Sequence, residues 1–329
     1  MCIRDRGGPQ AKPNRVGESQ KMQEVSTMCG IIGLVLGDKV RSAGEYERIR
    51  VDFSTMLVAA QARGVDAAGL YLINAVPGKP GVRQYVHSAG IPAESLVKTP
   101  AYWELLDNVG PDTIAIVGHT RHATTGSPKV NSNNHPIVDG PLVGVHNGVI
   151  YNHQALRSQY GAVAEVDSAT ILSTLLAQGQ GDALEVGDIR QAMPQVDGSW
   201  AIAVSDQRRQ GIFLARNAAS PMQLTHERKR KVLWFASTTS ILSQGLGHEV
   251  KAQPLPVWSV AFLTRKNAST GKLTPKSIEA PKVHRPVVTH GREDWETCTS
   301  VYGHSERYAG YPSFFDQGST TAAALKAAR

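Results

Sequence analysis

Short apolar runs rich in β-branched residues, set apart by turn-forming stretches, recur along most of this chain, and they restrict its fold more than any other feature. Met28 opens the first, MCGIIGLVL, and AAGLYLINA (67–75), VRQYVHSA (82–89), TIAIVGHT (113–120) and PLVGVHNGVI (141–150) follow. A second series comprises SWAIAVSD (199–206), GIFLARN (211–217), PMQLT (221–225), VLWFAST (232–238) and VWSVAFLTR (257–265). Helical periodicity is rarer. Between Gly44 and Arg63, residues Tyr46, Ile49, Phe53, Met56, Leu57 and Ala60 recur at spacings of three and four, which predicts an amphipathic helix. Helices are also expected over 152–160, over 167–177 with a capping side chain at Asp167-Ser168, and over 189–196 before Asp197-Gly198. Helices that cluster instead of alternating with strands favour an α+β fold with antiparallel pairing over a doubly wound parallel sheet.

Composition narrows the function. With 41% apolar residues the chain can bury a large core, and no stretch of about eighteen apolar residues is present to cross a membrane. Residues 1–27 lack the apolar middle of a secretory signal and read as a leader. Three scattered cysteines (Cys2, Cys29, Cys298) argue against a disulfide framework and for a reducing, cytoplasmic setting. A net charge of +7 raises nucleic acid as a partner, but the one dense basic run, HERKRK (226–231), lies between two strand-like segments. It is expected to be an exposed hairpin turn, and no nucleic-acid partner is expected. From about Pro281 the pattern fades into an irregular tail.

Four places could carry chemistry. Cys29 follows a methionine and heads a buried strand. If it became the N-terminal residue, its α-amine, titrating near 7.7–8.0, could serve as base for its own thiol. A buried structural cysteine is the alternative. Asn147-Gly148 lies within VHNGVI, where it can be a hairpin turn or can aim a side-chain amide and a backbone N–H at an oxyanion. In GHTRHATTGSP (118–128), Arg121 could grip a carboxylate with two parallel hydrogen bonds. Asp167 can cap a helix or pair with an ammonium group. Histidines 119, 122, 135, 146 and 153 do not fall at the spacings of known zinc sites, so no metal is expected.

Taken in order, MCGIIG, QARGVDAAG (61–69), GHTRHATTGSP, NNHP (133–136), VHNGVIYNH and EVDSATI (165–171) resemble class II glutamine amidotransferases. The similarity is to the glutaminase domains of glucosamine-6-phosphate synthase and glutamine phosphoribosylpyrophosphate amidotransferase, and it covers roughly residues 29 to 265. The resemblance implies a four-layer αββα sandwich, two antiparallel sheets between helices, of the N-terminal-nucleophile hydrolase type. It implies Cys29 as nucleophile with its α-amine as base, and Asn147 and Gly148 as the oxyanion hole. Arg121 and Thr124 would hold the α-carboxylate of L-glutamine, and Asp167 its α-ammonium. No cofactor is implied. The implied reaction releases glutamate and ammonia through a Cys29 thioester.

The sequence departs from that family at His122, where an aromatic Trp or Tyr is usual, and at Thr125, where the glucosamine type has a second histidine. Both positions lie on the loop that covers glutamine in the family. Ala67 stands where relatives often have serine. After about residue 280 neither a sugar-phosphate isomerase nor a phosphoribosyltransferase module follows, so the expected ammonia acceptor is a separate synthase subunit or domain. Residues 1–28 are expected to be a leader, removed or not translated: either they are a cleaved propeptide or, the favoured reading, residues 1–27 lie ahead of a true start at Met28, since MCIRDRGG resembles a translated adaptor remnant. The domain is thus expected over 29–280. A free-standing amide hydrolase with another substrate, or a non-catalytic interaction module, are the alternatives.

Overall fold

The computed structural model describes residues 29–281. The expected leader and, beyond Pro281, the expected tail lie outside the described residues, as do Cys2 and Cys298. In chain order the strands are β1 (Gly30–Leu36), β2 (Ala67–Ala75), β3 (Val82–Ala89), β4 (Thr113–Arg121), β5 (Ile137–Asp139), β6 (Leu142–Ile150) and β7 (Gly198–Asp206). They continue with β8 (Ile212–Arg216), β9 (Gln223–Glu227), β10 (Val232–Ala236), β11 (Gln253–Pro254), β12 (Ser259–Leu263) and β13 (Lys276–Ser277). The helices are α1 (Ala43–Ala60), α2 (Ala93–Leu96), α3 (Pro100–Leu106), α4 (His153–Tyr160), α5 (Asp167–Gln178), α6 (Val186–Ala192), α7 (Thr239–Leu246) and α8 (Arg265–Thr270).

One sheet has the order β11-β9-β10-β1-β4-β2-β3 and the other β13-β12-β8-β7-β6-β5. The pairings between neighbours are antiparallel. Alternation along each strand sorts the side chains into layers. Ile32, Leu34 and Leu36 of β1 meet α1, α2, α3 and α7, whereas Ile31 and Val35 face the second sheet. On the second sheet, Ile212 and Leu214 of β8 face inward, and Phe213 and Ala215 pack with α5 and α6. The result is the α+β four-layer αββα sandwich expected from the resemblance.

Helix α1 buries Tyr46, Ile49, Phe53, Met56, Leu57 and Ala60, the residues whose spacing predicted it. A capping box between Ser42 and Glu45 starts it. Burying side chains such as Phe53 and Leu57 contributes roughly 1.5–3 kcal/mol each, more than the ~1 kcal/mol a cap typically supplies. The basic run forms the expected turn: Glu227 pairs with Val232 across β9 and β10, and Arg228 and Lys229 are exposed. Arg230 is tied to Asp52 at 2.7 Å and Glu227 at 3.2 Å, which removes part of the run's free charge. Among the described residues no helix is long and apolar enough to cross a membrane.

Some expectations shift. The cap of α5 is Val166, so Asp167 is the first helical residue and its carboxylate is turned to other work. The expected strand at 257–265 stops at Leu263, and Thr264 begins the capping box of α8. Helices α2, α3 and α7 were not foreseen. Thr99 before Pro100 and Thr238 before Thr239 each accept a backbone N–H, so their start signals are present but the helices are too short for periodicity to show.

Candidate active site

Strand register gathers the first half of the site. Gly30 pairs with Thr120 and Ala67 with Arg121, so Cys29 enters β1 beside the end of β4. The Cys29 Sγ is bracketed by the backbone of His122, whose N–H donates to it at 3.4 Å and whose carbonyl accepts from it at 3.6 Å. Arg63 Nε donates to the Cys29 carbonyl at 3.0 Å. Burial pushes the Cys29 thiol up to about 11, against the opposing pull of the His122 N–H and the Arg121 cation; the Asp167 carboxylate adds to the rise. At pH 7 about one thiol in ten thousand is then ionised, so a nucleophile here needs a base during attack.

The loop after β4 wraps this thiol. Arg121 is buried, and its Nη1 donates to Asn134 Oδ1 at 2.8 Å. Its Nη2 donates to the carbonyls of Thr125 and of Gly126, the latter at 2.8 Å. The fork expected to hold a carboxylate is thus filled by the Asn134 amide oxygen and two loop carbonyls. Asp66 Oδ2 accepts from the Ala123 N–H at 2.7 Å and lies 3.7 Å from His122 Nδ1. Gly64 lets the chain pass this close, since a Cβ there would stand 2.3 Å from the Arg121 carbonyl carbon. Thr124 is exposed on the loop. It is Thr125, one residue on, whose hydroxyl donates to Asp167 Oδ1 at 3.3 Å.

The second half is built on β6 and α5. Asn147 and Gly148 lie inside β6, paired with Ala201 and Trp200 of β7, so the hairpin-turn alternative is excluded. The Asn147 side chain is buried, and both its nitrogen and its oxygen lack hydrogen-bond partners among the described residues. Such a group costs roughly 1–3 kcal/mol unless something arrives to satisfy it. Gly148 has φ +146°, and a Cβ on it would meet the Ser199 carbonyl oxygen at 1.9 Å, so only glycine fits. Asp167 Oδ2 accepts from the Ile150 N–H at 2.8 Å, and Oδ1 from the Ser168 N–H at 2.9 Å.

Buried histidines lock the halves together. His119 Nε2 on β4 donates to the His146 carbonyl on β6 at 2.9 Å, next to Asn147. The rings of His119 and His135 stack at 4.2 Å. Burial lowers the pKa of His119 to about 3, and those of His135 and His146 also fall through burial, so all three are neutral near pH 7. Among the described residues no group of three or more His, Cys, Asp or Glu side chains could hold a metal ion.

Of the six residues singled out in the sequence, Cys29, Arg121 and Asp167 act on one another electrostatically. Asn147 and Gly148 follow His146, whose carbonyl is bound from β4, and Thr124 stands outside on the loop. Sequence reasoning gave no role to Asp66, and it noted Thr125 only as a departure from the family, His146 only among the histidines set aside as metal ligands, and Ser168 only as a possible cap. Of these, only the adjacency of His146 to Asn147 and of Ser168 to Asp167 was a signal.

The description "Glutamine amidotransferase domain" matches residues 119–244. Over 301 residues the chain is 28% identical to a glutamine–fructose-6-phosphate aminotransferase (isomerizing) from Symbiobacterium thermophilum, covering 87% of this chain and 41% of that protein. The enzyme of the same name from Escherichia coli K12 is 30% identical over 201 residues, covering 59% of this chain and 29% of that protein. The chain thus spans less than half the length of these relatives. The fold is similar to that of glutamine phosphoribosylpyrophosphate amidotransferase from B. subtilis, with a TM-score of 0.56, 16% identity, and coverage of 76% of this chain and 49% of that one. By the matched domain and these relatives the chain carries a glutamine amidotransferase domain, on a sandwich similar in fold to that of the phosphoribosylpyrophosphate enzyme.

Proposed function

We propose that this domain hydrolyses L-glutamine to L-glutamate and ammonia, with Cys29 as an N-terminal nucleophile, and hands the ammonia to an acceptor on a partner or on a further part of the protein. The observation that carries this reading is the enclosed Cys29 thiol beside Arg121 and Asp167, at the end of the sandwich that also holds the unpartnered Asn147 amide.

With residues 1–28 removed, the Cys29 α-amine takes the thiol proton as Sγ attacks the side-chain amide carbon of glutamine. A positioned base contributes typically about 10²–10⁴-fold. The oxyanion is met by Asn147 Nδ2 and the Gly148 N–H. Collapse expels ammonia, which leaves with the proton the amine had received. Water, deprotonated by the same amine, then cleaves the thioester to glutamate. Asp167 receives the substrate ammonium. Arg121 and Thr124 receive its carboxylate once the loop carbonyls of Thr125 and Gly126 give way. Selection of a free zwitterion over amides within proteins follows from this pair of charges. The coupling of both Arg121 and Asp167 to the Cys29 thiol speaks against a hydrolase indifferent to the α-amino acid end of its substrate.

The test is glutamate and ammonia release from glutamine by protein whose intact mass shows Cys29 at its N-terminus, beside Cys29→Ala. Release that the alanine variant abolishes supports the reading. Intact mass showing residues 1–28 retained in the cell, with no turnover, contradicts it and favours a binding module.

A further inference from the structure

The proton count around His146 assigns a task that the reaction scheme leaves open. His146 is buried and makes two side-chain hydrogen bonds. Its Nε2 lies 3.2 Å from the Ser199 carbonyl oxygen, and its Nδ1 lies 2.8 Å from Ser168 Oγ. A carbonyl only accepts, so in the neutral ring Nε2 carries the hydrogen and Nδ1 presents a lone pair. The Ser168 hydroxyl must therefore donate to His146. Ser168 has one hydroxyl proton, and its Oγ is also 3.4 Å from Asp167 Oδ1. With the proton committed to His146, that carboxylate oxygen keeps only the Ser168 N–H and the Thr125 hydroxyl as internal donors.

Resting on the glutaminase reading above, we propose that His146 is a positioning residue that sets selectivity for a substrate bearing an α-ammonium group, by holding the Ser168 hydroxyl proton away from Asp167. Without the Nδ1 acceptor the hydroxyl turns to the carboxylate 3.4 Å away and closes an internal hydrogen bond there. The carboxylate that would receive the substrate ammonium then carries a third donor on Oδ1, beside the Ser168 N–H and the Thr125 hydroxyl, and an ammonium group gains less on binding. A substrate lacking that group loses nothing. Burial, which keeps the ring neutral and Nδ1 an acceptor, serves the same end.

The mechanism has a consequence that simple structural support lacks: deleting the hydroxyl repairs the loss of the histidine. The full chain with Cys29 freed is assayed on L-glutamine and on glutaramate, the same amide and carboxylate without the α-amine. His146→Phe, which keeps a ring of similar volume but no acceptor, lowers the ratio of the two kcat/KM values about five- to tenfold. Ser168→Ala leaves the ratio at the wild-type value, and His146→Phe with Ser168→Ala restores it. Equal losses on both substrates in His146→Phe, or a double variant no more selective than the single one, overturns the proposal. Should His146→Phe not fold, nitrogen NMR of the wild-type ring decides: the Nε2–H tautomer is required, and an Nδ1–H tautomer overturns it. A wild-type protein that neither hydrolyses nor preferentially binds glutamine overturns the glutaminase reading instead, and the proposal with it, whereas an active wild type with an unchanged ratio in His146→Phe overturns the proposal alone.

Discussion

On the β6–α5 side of the site, strand register and a helix start fix each polar group. Asn147 is pinned opposite Ala201, Gly148 is pressed against the Ser199 carbonyl, and Asp167 is held by the Ile150 and Ser168 amides. On the β1–β4 side, the thiol and Arg121 are instead held by a loop, through the backbone of His122 and the carbonyls of Thr125 and Gly126. The β6–α5 half is set before substrate arrives, which suits the proposed oxyanion hole, because such a hole stabilises developing charge without reorganising. On the same reading the β1–β4 half would exchange partners to admit a carboxylate. On the proposed reading the nucleophile sits in the half held by the loop, and the groups that would meet the oxyanion and the ammonium sit in the half that is already fixed.

The contrast breaks most sharply at Asn147. Asn147→Ala should lower kcat by about 10²–10³-fold with little change in KM, measured as glutamate release. A loss confined to KM would place Asn147 with substrate binding instead. Next in size, Gly148→Ala should lower the unfolding free energy by about 3 kcal/mol, read as a drop in Tm of roughly 10 °C, since its Cβ has nowhere to go. An unchanged Tm would mean that the second sheet yields more than its register suggests.

A third effect follows from the buried imidazoles joining the halves. Their folded-state pKa values lie below the unfolded value near 6.5. Above that pH neither state is protonated and their contribution to stability is whole. As the pH falls, the unfolded chain takes up protons that the folded one refuses. Stability drops by about 1.4 kcal/mol per pH unit for each ring, down to about pH 3 for His119. Urea midpoints should fall steeply below pH 6, and His135→Leu should flatten that slope. The smallest effect belongs to the exposed loop: Thr124→Ala should raise KM for glutamine a few-fold and leave Tm unchanged. A fall in Tm would show that Thr124 is already engaged before substrate binds.

How much of this was legible in the sequence differs between the same two halves. Strands β2 and β3 run over the residues expected, because their β-branched runs end at turns. The face of α1 matches its periodicity residue by residue. Asn147-Gly148 was ambiguous because a local rule, the hairpin signal, competes with burial on both sides; the β7 pairing across all of β6 decides it. Asp167 reads as a cap from its place before an apolar run, and the distant Ile150 N–H and Thr125 hydroxyl draw its carboxylate elsewhere. The roles of Thr125, Asp66 and His146 rest on contacts across many residues of sequence, to which no spacing rule points. The filled fork of Arg121 was invisible for the same reason: its partners are backbone carbonyls, which every residue has.

The most direct measurement compares glutamate release by two forms of the wild-type protein, one beginning at Cys29 and one still carrying Met28. A thiol raised to about 11 is scarcely ionised at neutral pH and needs a base, which the proposed reading takes to be the free α-amine. The account predicts turnover by the first form, abolished by Cys29→Ala, and a loss of about 10²-fold or more in the second. Equal turnover by both forms would contradict it, and would move the base to a side chain of the site.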